Sequence, residues 1–276
     1  SSDVCSSDLI GNFDRTSMTF KTDIYSFEDS IAIEDIRYSQ YPGNEETRSF
    51  KKVQRALLLA REARLANLLF GSSNWGSYTS SLASLGNSSK GTQWNSAGAE
   101  PLTDLHALLD VIRANAHGIL PDTLVLGYGA LRALSRSADV RGFFTAGSTA
   151  SGTAAGNRIM QDDMVVSVLK EVLGIPNVFV GSARRETANA GLTSSEAQIW
   201  TDDSVFMGIM KGSDAVANKN GTKVMPVAAL NFEYEGFTSG SYDDLALTKR
   251  SVWLQHNHQD KIIAQNYGFL LTDCLA

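Results

Sequence analysis

Residues 45–70, EETRSFKKVQRALLLAREARLANLLF, contain neither glycine nor proline. No other stretch constrains the fold as strongly. Asn44 is a suitable N-cap, Glu45 and Glu46 occupy the first turn where the helix dipole favours acids, and Gly71 closes the far end. Phe50, Val53, Leu57 and Ala60 form one apolar stripe, and Leu59, Ala63, Ala66 and Phe70 form another. The second half is apolar nearly all round, apart from Arg61, Glu62, Arg64 and Asn67. At 1.5 Å per residue such a helix is about 39 Å long, well beyond the usual three or four turns. It predicts a structural spine.

The chain around it is long enough for one large domain or two modest ones, at 276 residues. No apolar run reaches the roughly 18 residues that a membrane helix needs. A net charge of −6 without a basic stripe argues against a dedicated nucleic-acid reader. The opening nonapeptide, SSDVCSSDL, lacks the features of a secretory signal. Read back into codons, its last part resembles the end of a common short-read sequencing adapter. The expectation is that residues 1–9 are an assembly artefact and that the natural chain begins upstream of Ile10. Cys274 is then the single cysteine, which points to a reducing, intracellular origin.

Before the spine, TFKTDIYSF and IAIEDIRY read as extended strands or an arm. After it, residues 71–98 form a long loop rich in Ser, Gly and Asn, whose Trp75, Tyr78 and Trp94 are best read as tacking it to its own domain. The pattern then becomes mixed. PLTDLHALLDVIRANA, ALRALSRS and DDMVVSVLKEVLG have helical spacing, whereas TLVLG, NVFVG and EAQIWTDDSVFMGIMK read as strands. TAGSTASGTAAGN reads as a flexible link and KNGTK as a hairpin turn. SVWLQHNHQDKIIAQNYGFLL is long and β-rich.

Three features hint at chemistry. In TLVLGYGALRAL, Gly127-x-Gly129 lies between a strand and a helix, as in a dinucleotide site. Arg132 replaces the third glycine and no acid follows at the required distance, so a plain strand-to-helix turn explains it. His256, His258 and Asp260 share one face if their segment is a strand, and could bind a divalent metal. The plainer reading is a polar, solvent- or neighbour-facing side, opposite a face carrying Trp253 and, in part, Ile263. The pairs Asp162-Asp163, Asp202-Asp203 and Asp243-Asp244 fit helix starts and turns, and His106 and His117 flank one helix. No nucleophile elbow, zincin, paired-cysteine or phosphate-loop motif occurs.

The order of parts resembles the major capsid protein of tailed bacteriophages, with its Hong Kong 97-like fold. RALLLAREARLANLLF is similar to that family's spine helix, and residues 101–141 to the helix–strand–helix opening its axial domain. LGIPNVFVGSARR followed by IWTDDSVFMGIMK resembles the axial domain's central strands, and HQDKIIAQNYGFLL the strand returning to the peripheral domain. The resemblance implies an α+β fold with a long spine helix, a peripheral domain and an axial domain. It divides the chain into the end of an extended loop (10–43), a peripheral part (44–101), an axial domain (102–245) and a peripheral return strand (246–276).

It also implies a coat protein, not an enzyme, without cofactor or catalytic site. Copies would self-assemble as pentamers and hexamers into an icosahedral head in the host bacterial cytoplasm and remain in the virion. The implied partners are the chain itself, scaffolding and portal proteins, and packaged double-stranded DNA held without sequence specificity; none is a membrane. Two alternatives stand beside it: an encapsulin-like compartment shell, and a metal-dependent enzyme using His256, His258 and Asp260.

Overall fold

A computed structural model describes residues 21–39, 42–86, 92–146, 160–188, 193–211, 216–217, 223–224, 227–244 and 246–276. The expected spine is α2, Pro42–Phe70. It starts slightly before Asn44, with proline in the first turn, where a missing N–H costs nothing. Its two halves serve different neighbours. Val53 and Leu57 are buried against Leu254 of a first sheet, while Ala66 and Leu69 are buried against Val125, Phe206 and Leu270 of a second. Residues 59–65, between the two contacts, are half-buried throughout. The half that is apolar nearly all round is the one packed on the second sheet.

The first sheet is antiparallel, with β11 (Lys249–Ile262) between β1 (Asp23–Ala32) and β10 (Ala229–Asp244). IAIEDIRY is not all extended. Ile33–Tyr38 forms a short helix, α1, with Glu34 and Asp35 in its first turn and Arg37 in its last, the charge order that the helix dipole favours.

The second sheet has the order β2-β12-β7-β3-β4, with β2 at Thr79–Ser81, β3 at Thr123–Gly127, β4 at Asn177–Gly181, β7 at Val205–Gly208 and β12 at Gly268–Thr272. Leu124 and Leu126 of β3 face a core filled by α3 (Pro101–Asn115), α4 (Tyr128–Arg136) and α6 (Asp162–Leu173). Val125, between them, faces the α2 side. The period-two alternation therefore buries both faces, which is why TLVLG reads as continuously apolar. Gly174 ends α6 with φ 67°, a left-handed cap that glycine adopts without a Cβ clash. A further helix, α5, spans Ala138–Ala146. Two small pairs complete the described elements: β5 (Arg184–Glu186) with β6 (Glu196–Gln198), and β8 (Val216–Ala217) with β9 (Lys223–Val224). Most of the KNGTK turn and of the TAGSTASGTAAGN link lies outside the described residues, as does the opening nonapeptide.

Connectivity departs from the expected segmentation. Residues 246–276 are two strands in different sheets: β11 lies against the first half of α2, and β12 lies between β7 and β2. A 3-10 turn at Gln265–Tyr267 separates them, and the Ile263 and Ala264 N–H groups both donate to Ala228 O. β10, expected with residues 102–245, belongs to the first sheet instead, paired with β11 over nearly its whole length. Pairing between distant strands is a tertiary property, and local periodicity carries no record of it.

The aromatics of the 71–98 loop are anchors to the chain's own core. Trp75 is fully buried on Phe206 and donates its indole N–H to Leu69 O at 2.7 Å. Trp94 donates to Asp104 Oδ2 at 3.0 Å.

Candidate assembly surfaces

The glycine pair after β3 is closed to a phosphate. Gly129 N–H donates to Asp202 Oδ1 at 3.0 Å and Ala130 N–H to Asp202 O at 2.8 Å, so the start of α4 is capped from within the chain. A Cβ on Gly127 would lie 2.2 Å from Thr201 O. Gly127 is there to let the 201–202 turn approach the backbone, and nucleotide binding plays no part in it.

The acid pairs also have local work. Asp162 and Asp163 lie in the first turn of α6. Asp203 accepts from Ser204 Oγ, Asp243 from Arg250, and Asp244 from the Ala246 and Leu247 N–H groups. His106 and His117 are exposed on α3 and just beyond its end.

His256, His258 and Asp260 do share one face of β11, and of the two plain alternatives it is the neighbour-facing one, turned towards α2 and away from solvent. Both histidines are 1% exposed beneath α2. Their rings stack at 4.2 Å between centroids and 25° between planes, with Phe237 stacked on His256 and Tyr25 tilted against His258. Glu233 Oε1 accepts from His256 Nε2 at 2.9 Å, and Arg64 lies across the Tyr25 ring with Nη2 3.5 Å from His258 Nε2. Stacked rings aim their in-plane nitrogens along roughly parallel directions and do not converge on one ion. Among the described residues no three His, Cys, Asp or Glu side chains are grouped to hold a metal. Desolvation, then the neighbouring His256, Arg61 and Arg64, hold His258 below the ordinary imidazole range against an opposing pull from Asp260. Sequence reasoning missed Tyr25, Arg64 and Glu233, which meet here from three separate elements.

The remaining surface is broad and shallow. Trp253 lies on the sheet face away from α2, above Gly240. On that face Tyr242 donates to Glu28 at 2.7 Å and the Ser30 and Ser251 hydroxyls meet at 3.0 Å, with Ile24 63% exposed beside them. Tyr234 and Phe237 of β10 are also exposed. The period-two spacing Phe232-x-Tyr234 was the available sequence signal for this strand. Lys52 and Ser49 of α2 hold Asp29 at 2.7 and 2.8 Å, and Arg250 ties Asp243 at 2.6 Å and also Glu46. On the second sheet, edge strand β4 exposes Phe179 beside a cavity of about 380 Å³ lined by Leu65, Leu69, Val125, Trp200 and Met210. No described helix is long and apolar enough to cross a membrane.

Neither a family model nor a curated protein matches the sequence. Solved structures do match the fold. A phage-related protein from Bordetella bronchiseptica RB50 superposes with a TM-score of 0.65 at 17% identity, over 92% of this chain and 76% of that one. The capsid of Myoviridae phage XM1 matches with a TM-score of 0.50 at 12% identity, over 91% of this chain and 73% of that one. The chain has the tailed-phage capsid fold. A virus-like particle from Pyrococcus furiosus shares it, with a TM-score of 0.51 at 10% identity over 91% of this chain and 76% of that one. The α+β capsid fold accounts for the element order: a strand and short helix, a spine spanning two sheets, a mixed sheet under helices, and a late return to both sheets.

Proposed function

We propose that this chain is the major capsid protein of a tailed phage. Copies assemble as pentamers and hexamers into an icosahedral head that encloses double-stranded DNA, formed in the host cytoplasm and retained in the virion. The observation that carries the reading is the fold match over about nine-tenths of the chain to a phage capsid and a phage-related protein. A spine packed against two sheets supports it physically, because a shell subunit must transmit contact forces without collapsing. In this reading the five-stranded sheet with α3–α6 is the axial domain, and α2 with the three-stranded sheet is the peripheral domain. β1 and α1, which the resemblance puts at the end of an extended loop, belong in this reading to the peripheral sheet, because β1 pairs with β11 along its length. Scaffolding and portal proteins are the expected accessory partners, and DNA is held by confinement.

The match to an archaeal virus-like particle supports a second reading, an encapsulin-like compartment with protein cargo. A metal-dependent enzyme is disfavoured by the inward stacking of His256 and His258. Electron microscopy of the product of the complete gene, expressed with and without its neighbouring genes, tests these readings. Closed shells or rings of five or six subunits are expected. Monodisperse small particles under every condition would sink the shell reading, and shells filled with a co-encoded protein would favour the compartment.

A further inference from the structure

The two histidines buried under α2 occupy a consequential place. Towards the N-terminus of α2 lies the Val53–Leu57–Leu254 contact with the first sheet; towards its C-terminus lies the Ala66–Leu69 contact with the second. The pair sits between these two contacts, under Arg64. His256 Nδ1, His258 Nδ1 and Asn257 Oδ1 are buried without a hydrogen-bond partner. A cavity of about 280 Å³, lined by Tyr25, Arg64, Asn67, Asn74, His258 and Asp260, gives His258 a route to solvent protons.

We propose that the stacked His256–His258 pair is an acid-sensitive latch, in which proton uptake by His258 releases the three-stranded sheet from α2 while the five-stranded sheet stays packed. The groups around it set the sign. From α2 come the cations Arg61 and Arg64; from β1, Tyr25, with Asp23 paired to His258 in register; from β10, Glu233 on His256 and Glu235 opposite Asn257; from β11, Asp260 at 3.8 Å from His258. Desolvation acts first against a proton on His258, followed by the second imidazole and, more weakly, the two guanidinium groups, and Asp260, itself engaged by Asn231 at 2.6 Å, offsets them only in part. A charged His258 would therefore be buried, stacked on a like group and faced by Arg64, and separation of α2 from the sheet relieves all three penalties.

The direction of the effect follows from linkage. A base held below its ordinary value binds more protons unfolded than folded. Its contribution to the latch is complete above about pH 6.5 and is lost as the pH falls from there. The second sheet carries no such group in its core with α2, which consists of Ala66, Leu69, Trp75, Val125, Trp200, Phe206, Ala228 and Leu270. Acid thus acts on one end of the spine only and changes the angle between the two layers without unfolding the chain.

Hydrogen exchange read by mass spectrometry tests it on the whole chain, as protection factors at about pH 7.5 and 5.5, on either side of the ordinary imidazole value. In the wild type, protection in residues 23–29, 53–64 and 252–258 should fall about tenfold or more on acidification. Residues 123–127, 205–208 and 268–272 should keep theirs. His258→Phe, which preserves a ring against Tyr25 and cannot titrate, should abolish the difference. Unchanged wild-type protection, equal loss in both sheets, or a full acid response in His258→Phe would each overturn the latch. If His258→Phe does not fold, Arg64→Gln decides the matter: removing the cation should weaken the acid response, and an undiminished response overturns the proposal.

Discussion

The Trp94 indole donates to the Asp104 carboxylate at 3.0 Å, and both residues are buried, at 2% and 0% exposure. This bond joins the Gly- and Ser-rich loop to the first turn of α3, and the Trp94 N–H to Cys274 O bond continues it to the last residues of the chain. Trp94→Phe keeps the ring and removes the donor. The loss of a buried hydrogen bond to a charged group should lower unfolding stability by about 1.5–3 kcal/mol. Urea titration reads this as a lower midpoint with an unchanged slope, and an unchanged midpoint would show that the loop is held by apolar contact alone.

Gly127 makes the other close approach. Alanine there would drive its Cβ into Thr201 O and the Asp202 backbone, neither of which is a movable side-chain end. Gly127→Ala should destabilise by about 1–3 kcal/mol through overpacking and displace the Asp202 cap from α4. Calorimetry gives the loss. A wild-type melting temperature would mean that the 201–202 turn can move freely.

Leu57 and Leu254 form the centre of the contact between α2 and the first sheet, at 1% and 3% exposure. Leu57→Ala should cost about 2–5 kcal/mol, as cavity-forming substitutions do. Leu254→Ala should cost less in the Leu57→Ala background than alone, because the two side chains share one contact. A double-mutant cycle by chemical denaturation checks this, and strict additivity would count against the contact.

Cys274 is buried under the Trp94 loop, and desolvation, with Asp203, Asp104 and Asp273 nearby, raises its thiol well above the ordinary range. Only the thiolate is alkylated, so native protein at about pH 8 should resist iodoacetamide while protein in concentrated urea reacts fully. Mass analysis of the alkylated chain distinguishes the two. Rapid labelling of the native form would place the C-terminal segment away from the core.

Much of the architecture is written locally. The spine, the helices of residues 101–173 and the doubly buried strand TLVLG are legible because their periods of 3.6 and 2 repeat within one segment. The α2 start was displaced by only a few residues, as is usual where a proline opens a helix. The helical turn in IAIEDIRY was not legible, since six residues with an alternating apolar pattern fit a strand equally well.

The candidate site shows the limit more sharply. The alternation His256-x-His258-x-Asp260 establishes that the three share a face, and nothing in those residues tells which face. Two imidazoles and a carboxylate look like a surface feature by polarity. They are inside because Leu254 shares their parity and packs with Val53 and Leu57 of α2. Likewise, SVWLQHNHQDKIIAQNYGFLL reads as one β segment, and only the folded chain sends its two halves to different sheets. The sequence by itself determined which segments are helix or strand, because each repeats its own period. Tertiary structure alone decided the pairing, the inward parity of β11 and the meeting of Tyr25, Arg64 and Glu233 at the histidines, because those depend on contacts among residues far apart in the chain.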